Sequence, residues 1–337
     1  MYKKSDLPIA ADNVISNCLK VSENEEVVII YEEDRLSIAK QLNYSILQRR
    51  AFPINLMVFK DQQYKKLLNE SNRELTLPES VHDILDRVAV IITLIQNRVD
   101  ELRFRRQILD HAKNNVCRIA HMPGLTAAQF SNFLTSDFEE IKRIGKILVS
   151  IFEKNIGKKL RITSKAGTDI NLTVSKVIRL SSGIIDKPGQ IGNLPGGEVY
   201  FAPIPESANG TVVIDVSLPN ILIKNKVDEI KFEIKNGRVK PKSIVDPNKL
   251  ITKHFKNDGS DVLCEIGIGL NNKIKNATGS VIIDEKMGKT VHIALGDNTF
   301  FGGDIKAPIH IDMVMKKPDI HIDSDYIMKN GELKILS

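Results

Sequence analysis

The stretch TVHIALGDNTFFGGDIKAPIHID, residues 290 to 312, carries His292, His310 and Asp312 on β-like runs either side of a glycine-rich turn. Imidazole nitrogens and carboxylate oxygens are the donors that divalent cations of intermediate hardness accept, so the chemistry in question is metal binding. Alternate residues of a strand point the same way. In TVHIALG, Val291, Ile293 and Leu295 therefore form an apolar face, and His292 shares the other with Thr290 and Ala294. In IHIDMVM, Ile309, Ile311, Met313 and Met315 form one face, and His310, Asp312 and Val314 the other. The i, i+2 spacing of His310 and Asp312 directs both side chains to one place.

A third run repeats the plan. In VLCEIGIGLN the apolar face holds Val262, Cys264, Ile266, Ile268 and Leu270, and the other presents Glu265 beside Gly267 and Gly269. Small neighbours leave room for a metal or a substrate. GNLPGGEVYFAP sets Glu198 after a Pro-Gly-Gly turn, where glycines permit close backbone approach, and Asp284 and Glu285 come shortly before His292. A lone His-x-Asp on a strand is usually solvated, and the chain supplies its own control: His321 and Asp323 have the same spacing without a small-residue face. That copy reads as a strand end at the surface.

Two kinds of element must position these groups. The first half alternates helical and strand patterns. EEVVIIY, FPINLMVF and VAVIITLI read as strands. NVISNCLKV, LSIAKQLNYSILQRR, Arg103–Lys113 and Glu139–Glu153 read as helices. Such alternation predicts an α/β domain with a mostly parallel sheet over residues 1–157, Rossmann-like but without GxGxxG or GxxxxGK[ST]. Beyond it, short alternating runs predict a largely antiparallel α+β domain over 158–337 that carries the metal site. Asn236-Gly237 is a hairpin signal, because a type I′ turn needs positive φ at both central residues. Helix is expected there only around Asn248–Lys256.

Composition excludes several classes. The 337 residues, 42% hydrophobic and 27% charged, suit about two globular domains. No apolar run approaches the ~18 residues of a membrane helix, and the N-terminus lacks an apolar signal region, so the expectation is a cytoplasmic protein without a membrane partner. Three widely separated cysteines, none in CxxC spacing, read as reduced thiols. The net charge of +6 is spread among Ile and Asn without aromatic interleaving, which argues against nucleic acid.

NLPGGEVYFAP, NGTVVID, CEIGIGLN, DEKMGKTVHIALGDN and HIDMVM occur in this order. Together they resemble the aminopeptidase T family of metallopeptidases, over the whole second domain and more weakly over the first. The resemblance implies Glu198, Glu265, Glu285, His292, His310 and Asp312 as ligands of two divalent ions (zinc, cobalt or manganese). It implies Glu198 or Glu265 as the base that moves the proton of a metal-activated water, a short peptide as substrate, and a homodimer. Three departures accompany it. Thr299 stands where the family has tyrosine, Glu285 and His292 are two residues further apart, and the chain is shorter. A dioxygenase acting on dihydroxypyridine rings is similar to the same fold family and uses a single ferrous ion. In that alternative His292, His310 and Asp312 supply a two-histidine, one-carboxylate set, with Glu265 a substitute for one histidine. A non-catalytic binding protein on the same scaffold is the further alternative.

Overall fold

The computed structural model describes residues 6–58, 76–96, 102–115, 117–255 and 257–335. Of the segments read above, residues 1–5, Phe59 and Lys256 lie outside them. The chain divides into two units, Met1–Glu139 with Gly183–Gly196, and Glu140–Ser182 with Gly197–Ser337.

The first unit is built on five parallel strands, β1 (Glu26–Glu32), β2 (Phe52–Val58), β3 (Val90–Leu94), β4 (Arg118–His121) and, much later in the chain, β7 (Ile191–Asn193). Their order is β2-β1-β3-β4-β7. The central strands EVVIIYE and VIITL are β-branched and buried along nearly their whole length. Strands covered on both faces read as such apolar runs. Helices Asp6–Asn13, Leu36–Gln48, Glu79–Leu85, Leu102–Asn115 and Ala127–Phe133 accompany the sheet. One core joins Val28, Ile30, Ile91 and Ile119 of the sheet to Leu85, Phe104 and Ile108 of two helices.

The second unit is the predicted large antiparallel sheet. Its strands are β5 (Lys159–Thr163), β6 (Asp169–Ser181), β8 (Glu198–Pro203), β9 (Asn209–Ile214), β10 (Ser217–Leu218), β11 (Ile221–Leu222) and β12 (Ile230–Lys235). There follow β13 (Arg238–Val239), β14 (Leu263–Gly269), β15 (Thr290–Gly296), β16 (His310–Lys316), β17 (Asp319–Ile322), β18 (Asp325–Lys329) and β19 (Glu332–Leu333). The main path runs β11-β10-β16-β15-β14-β8-β6-β5-β17-β18-β19. Asn236 and Gly237, at φ 49° and 74°, turn β12 into β13 with Lys235 opposite Arg238, the hairpin that Asn-Gly signals.

Three features differ from the sequence reading. The division does not fall once, after residue 157. Most of the helix Phe138–Lys154 goes with the second unit, where Phe152 packs on Phe201 at 5.0 Å between ring centroids. The segment Gly183–Gly196 leaves the end of β6 to add β7 to the parallel sheet. Third, the helix expected around Asn248–Lys256 is reduced to one 3-10 turn, Thr252–His254. There the carboxylate of Asp246 accepts the backbone N–H groups of Leu250, Ile251 and Thr252 at 2.8, 2.9 and 3.0 Å, and Lys249 sits at φ 52°. A side chain that competes for backbone donors in this way replaces a helix by a loop. Among the described residues no helix is long and apolar enough to cross a membrane.

Candidate metal centre

Four neighbouring strands carry the candidate ligands, and the register aligns them. Across β8, β14, β15 and β16 one row reads Tyr200, Gly267, His292, Val314. The next row along, on the same face, reads Glu265, Ala294, Asp312, and beyond it Gly296 lies opposite His310. On the other side Glu198 opens β8 opposite Gly269. The alternation read from sequence thus puts the four ligand-bearing strand positions and His310 on one face. A Cβ on Gly267 would come within 2.0 Å of the His292 ring, so this glycine is the slot in which the imidazole lies.

Glu285 arrives from outside the sheet. A single helical turn, Val281–Asp284, ends at it. Asp284 is fully buried and serves the loop: its carboxylate accepts Thr278 N–H at 2.7 Å, Thr278 Oγ1–H at 2.8 Å and Gly279 N–H at 2.9 Å. Lys286, which follows Glu285, is pinned through its carbonyl, which accepts Asn271 N–H at 2.8 Å. The Pro-Gly-Gly turn before Glu198 also meets Asn271, whose Cβ would lie 2.8 Å from a Cβ on Gly197. Close approach there serves chain packing.

All six sequence-predicted residues come together. His292 Nε2 lies 3.1 Å from Glu265 Oε1 and 3.8 Å from Glu198 Oε2. His310 Nε2 lies 3.6 Å from Glu265 Oε2 and 3.2 Å from Asp312 Oδ1. Ligand atoms of Glu265, His292 and Asp312 fall within 4.8 Å of one another, as do those of Glu198, Glu285 and His292. His310 Nδ1 donates to the carbonyl of Asp297 at 2.6 Å, which orients the ring with Nε2 turned toward the cluster. Glu198 Oε2 and His292 Nδ1 are buried and have no hydrogen-bond partner among the described residues.

Sequence reasoning missed Lys286. Its side chain is fully buried and its Nζ donates to Glu198 Oε1 at 3.0 Å and to Glu285 Oε1. No motif or spacing signalled it in a lysine-rich chain. Cys264 was read as a core residue, yet its Sγ lies 3.7 Å from His310 Nδ1. A β-bulge explains this: the register steps from Leu263–Leu295 to Glu265–Ala294, so Cys264 has no opposite residue and leaves the alternation. His321 and Asp323, the control pair, stand apart. His321 packs on Tyr326, and Asp323 pairs with exposed Lys158 at 3.2 Å.

The electrostatics are those of a cation site. Burial pushes the Glu265 carboxyl up, and burial with the charge of Glu198 lifts Glu285 to about 8 against the pull of Lys286. For Asp312, burial is outweighed by the charge and hydrogen bond of His310, which bring it down to about 2. Burial lowers His292, but the Glu265 hydrogen bond and surrounding carboxylates carry it to about 9. Four buried or nearly buried carboxyl groups face one ammonium and two imidazoles, and protons held on Glu265, Glu285, His292 and His310 balance them. A divalent ion takes carboxylate and imidazole donors together and can replace those protons, so the residues present fit a metal.

The model of the NicX family, 2,5-dihydroxypyridine 5,6-dioxygenase, matches residues 7–335. The chain belongs to the NicX family. A 2,5-dihydroxypyridine 5,6-dioxygenase of Pseudomonas putida KT2440 is 26% identical over 194 residues, 52% of this chain and 54% of that protein, so the alignment spans about half of the curated relative. The solved 2,5-dihydroxypyridine dioxygenase of that organism has the same fold at TM-score 0.71 and 17% identity, covering 98% of this chain and 97% of the other. Aminopeptidase T of Thermus thermophilus matches equally, at TM-score 0.71 and 14% identity over 98% of this chain and 99% of the other. Membership of NicX corrects the expectation of an aminopeptidase: the peptidase, hydrolase and proteolysis readings do not fit a family of oxidative ring-cleaving enzymes. Both kinds of enzyme share this fold.

Proposed function

We propose that this chain is a ring-opening dioxygenase for dihydroxylated pyridines, with ferrous iron held by His292, His310 and Asp312. The observation that carries the reading is the NicX match along residues 7–335. Two imidazoles and one carboxylate with open positions are the donor set of non-haem iron(II) oxygenases, and His310 is held with Nε2 turned toward the cluster. Bound iron supplies the one-electron chemistry through which dioxygen reacts with an electron-rich ring.

The protein's own groups bind and orient. Glu265, buried between the two histidines with its carboxyl raised, is the base for a ring hydroxyl. Phe300 is 66% exposed and meets His310 edge-on at 5.0 Å, and Phe301 meets both Phe300 and Tyr200 edge-on. These rings offer a flat substrate an aromatic wall beside the metal ligands. Thr299 Oγ1 donates to the Asp297 carboxylate at 2.9 Å and starts the 3-10 turn that presents Phe300.

Protein reconstituted anaerobically with ferrous ion should consume about one dioxygen per 2,5-dihydroxypyridine, with loss of the ring's ultraviolet absorption. Iron-loaded protein that takes up no oxygen with any dihydroxypyridine refutes the proposal.

A further inference from the structure

Lys286 is the buried charge that the proposed chemistry leaves unused. A lysine side chain is rarely inaccessible, and one with 0% exposure is retained only where it is paired. Here it has two partners, both acidic residues that the resemblance implied as metal ligands: Glu198 Oε1 at 3.0 Å and Glu285 Oε1. Its position is fixed at both ends of the side chain. The backbone is tied to Asn271, in both directions counting the Gly288 N–H given to the Asn271 carbonyl at 3.0 Å. The ammonium is held by the two carboxylates.

The same two glutamates form, with His292, a set whose donor atoms lie within 4.8 Å of one another. With His292 given to the first metal, the two carboxylates are the donors left for a second divalent ion. A cation bound there would compete with the ammonium for the same oxygens, at separations where like charges in a partly buried site repel strongly.

We propose that Lys286 is a built-in second cation: it occupies the Glu198–Glu285 end of the cluster and confines the metal to the His310–Asp312 end. The inference rests on the reading that His292, His310 and Asp312 hold the metal. It adds that Glu198 and Glu285 are partners of Lys286 instead of ligands, and that the protein's own ammonium sets the metal count.

Manganese(II) is the probe, with content measured by mass spectrometry and pairing of ions by electron paramagnetic resonance. Wild-type protein should hold one manganese per chain at saturation, with an isolated-ion spectrum. Lys286→Met should hold two, with an exchange-coupled spectrum, and should gain more thermal stability from the metal than wild type does. Lys286→Arg, which keeps the charge, should stay at one. Glu285→Gln should keep its single ion with affinity within about threefold of wild type, less than the 10–100-fold typical of a lost ligand partner.

Folded Lys286→Met that still binds one ion overturns the inference and leaves the metal site standing. A coupled pair in wild-type protein overturns it without any variant having to fold, as does a more than tenfold loss of affinity in Glu285→Gln. Wild-type protein that binds no manganese, iron or cobalt removes the metal site itself, and the inference with it.

Discussion

Gly267 acts at this site through the atoms it lacks. The His292 ring fills the space a side chain there would take, with Cε1 2.0 Å and Nε2 2.1 Å from the position of a Cβ. Gly267→Ala must therefore push the imidazole out of its row. Metal affinity is expected to fall about 10–100-fold, with a stability loss of about 1–3 kcal/mol from overpacking. Isothermal titration with manganese and urea unfolding measure the two. Unchanged affinity would mean that His292 is not a ligand. At this scale the sequence was informative wherever a residue's type already restricts its use. Histidine beside glycine on an alternating strand is such a case, and so is glutamate facing glycine in CEIGIG. Lys286 was not legible, because one lysine among 48 basic residues reads as solvated surface. Only the fold reveals that this one has no exposure.

At the scale of the element, the strands were legible because period-two alternation survives in β14, β15 and β16 even though all three are buried or nearly so on both faces. What alternation could not convey is the bulge that turns Cys264 toward His310. Nor could it foretell that Asp246 would take the backbone donors of the helix expected after it. The helical turn Val281–Asp284 is too short to persist by propensity. It is held by the carboxylate of Asp284, which ties down Thr278 and Gly279. Asp284→Ala removes the charged acceptor of these part-buried donors, so a cost of about 1–3 kcal/mol is expected. The loss should concentrate in hydrogen exchange of residues 278–288, while β15 and β16 stay protected. Uniform loss of protection across the sheet would show instead that the turn is integral to it.

For the molecule as a whole, the fold was legible, and the dioxygenase chemistry was legible only as the alternative to the peptidase reading. Aminopeptidase T and the pyridine dioxygenase match this chain at the same TM-score of 0.71, so the fold does not separate the two chemistries. A global property follows from a residue far from the site in sequence. His121 ends β4, lies 2.6 Å from Thr93 Oγ1 in a buried hydrogen bond, and is depressed to about 3, chiefly by burial and then by the charge of Arg105. Unfolded, it titrates near 6.5. Between those values the unfolded chain holds a proton that the native one does not, so stability falls as pH falls. His121 should contribute up to about 1.4 kcal/mol per pH unit across that window and nothing above it. Urea unfolding from pH 7 to pH 4 should be flatter in His121→Gln than in wild type. Identical slopes would show that His121 is charged in the native protein.

The β7 strand has a consequence for how the protein is made. β4 is the last strand of the parallel sheet to appear until Ile191–Asn193 pairs beside it, and the intervening chain includes all of β5 and β6. During synthesis the flank of β4 stays open until residue 193 has left the ribosome. Until then its unpaired backbone is a template for another nascent chain. A fragment ending at residue 157 would keep that hazard permanently, so truncation at the most obvious change in sequence pattern should give an aggregating product. The same fragment with Gly183–Gly196 appended has its missing edge restored.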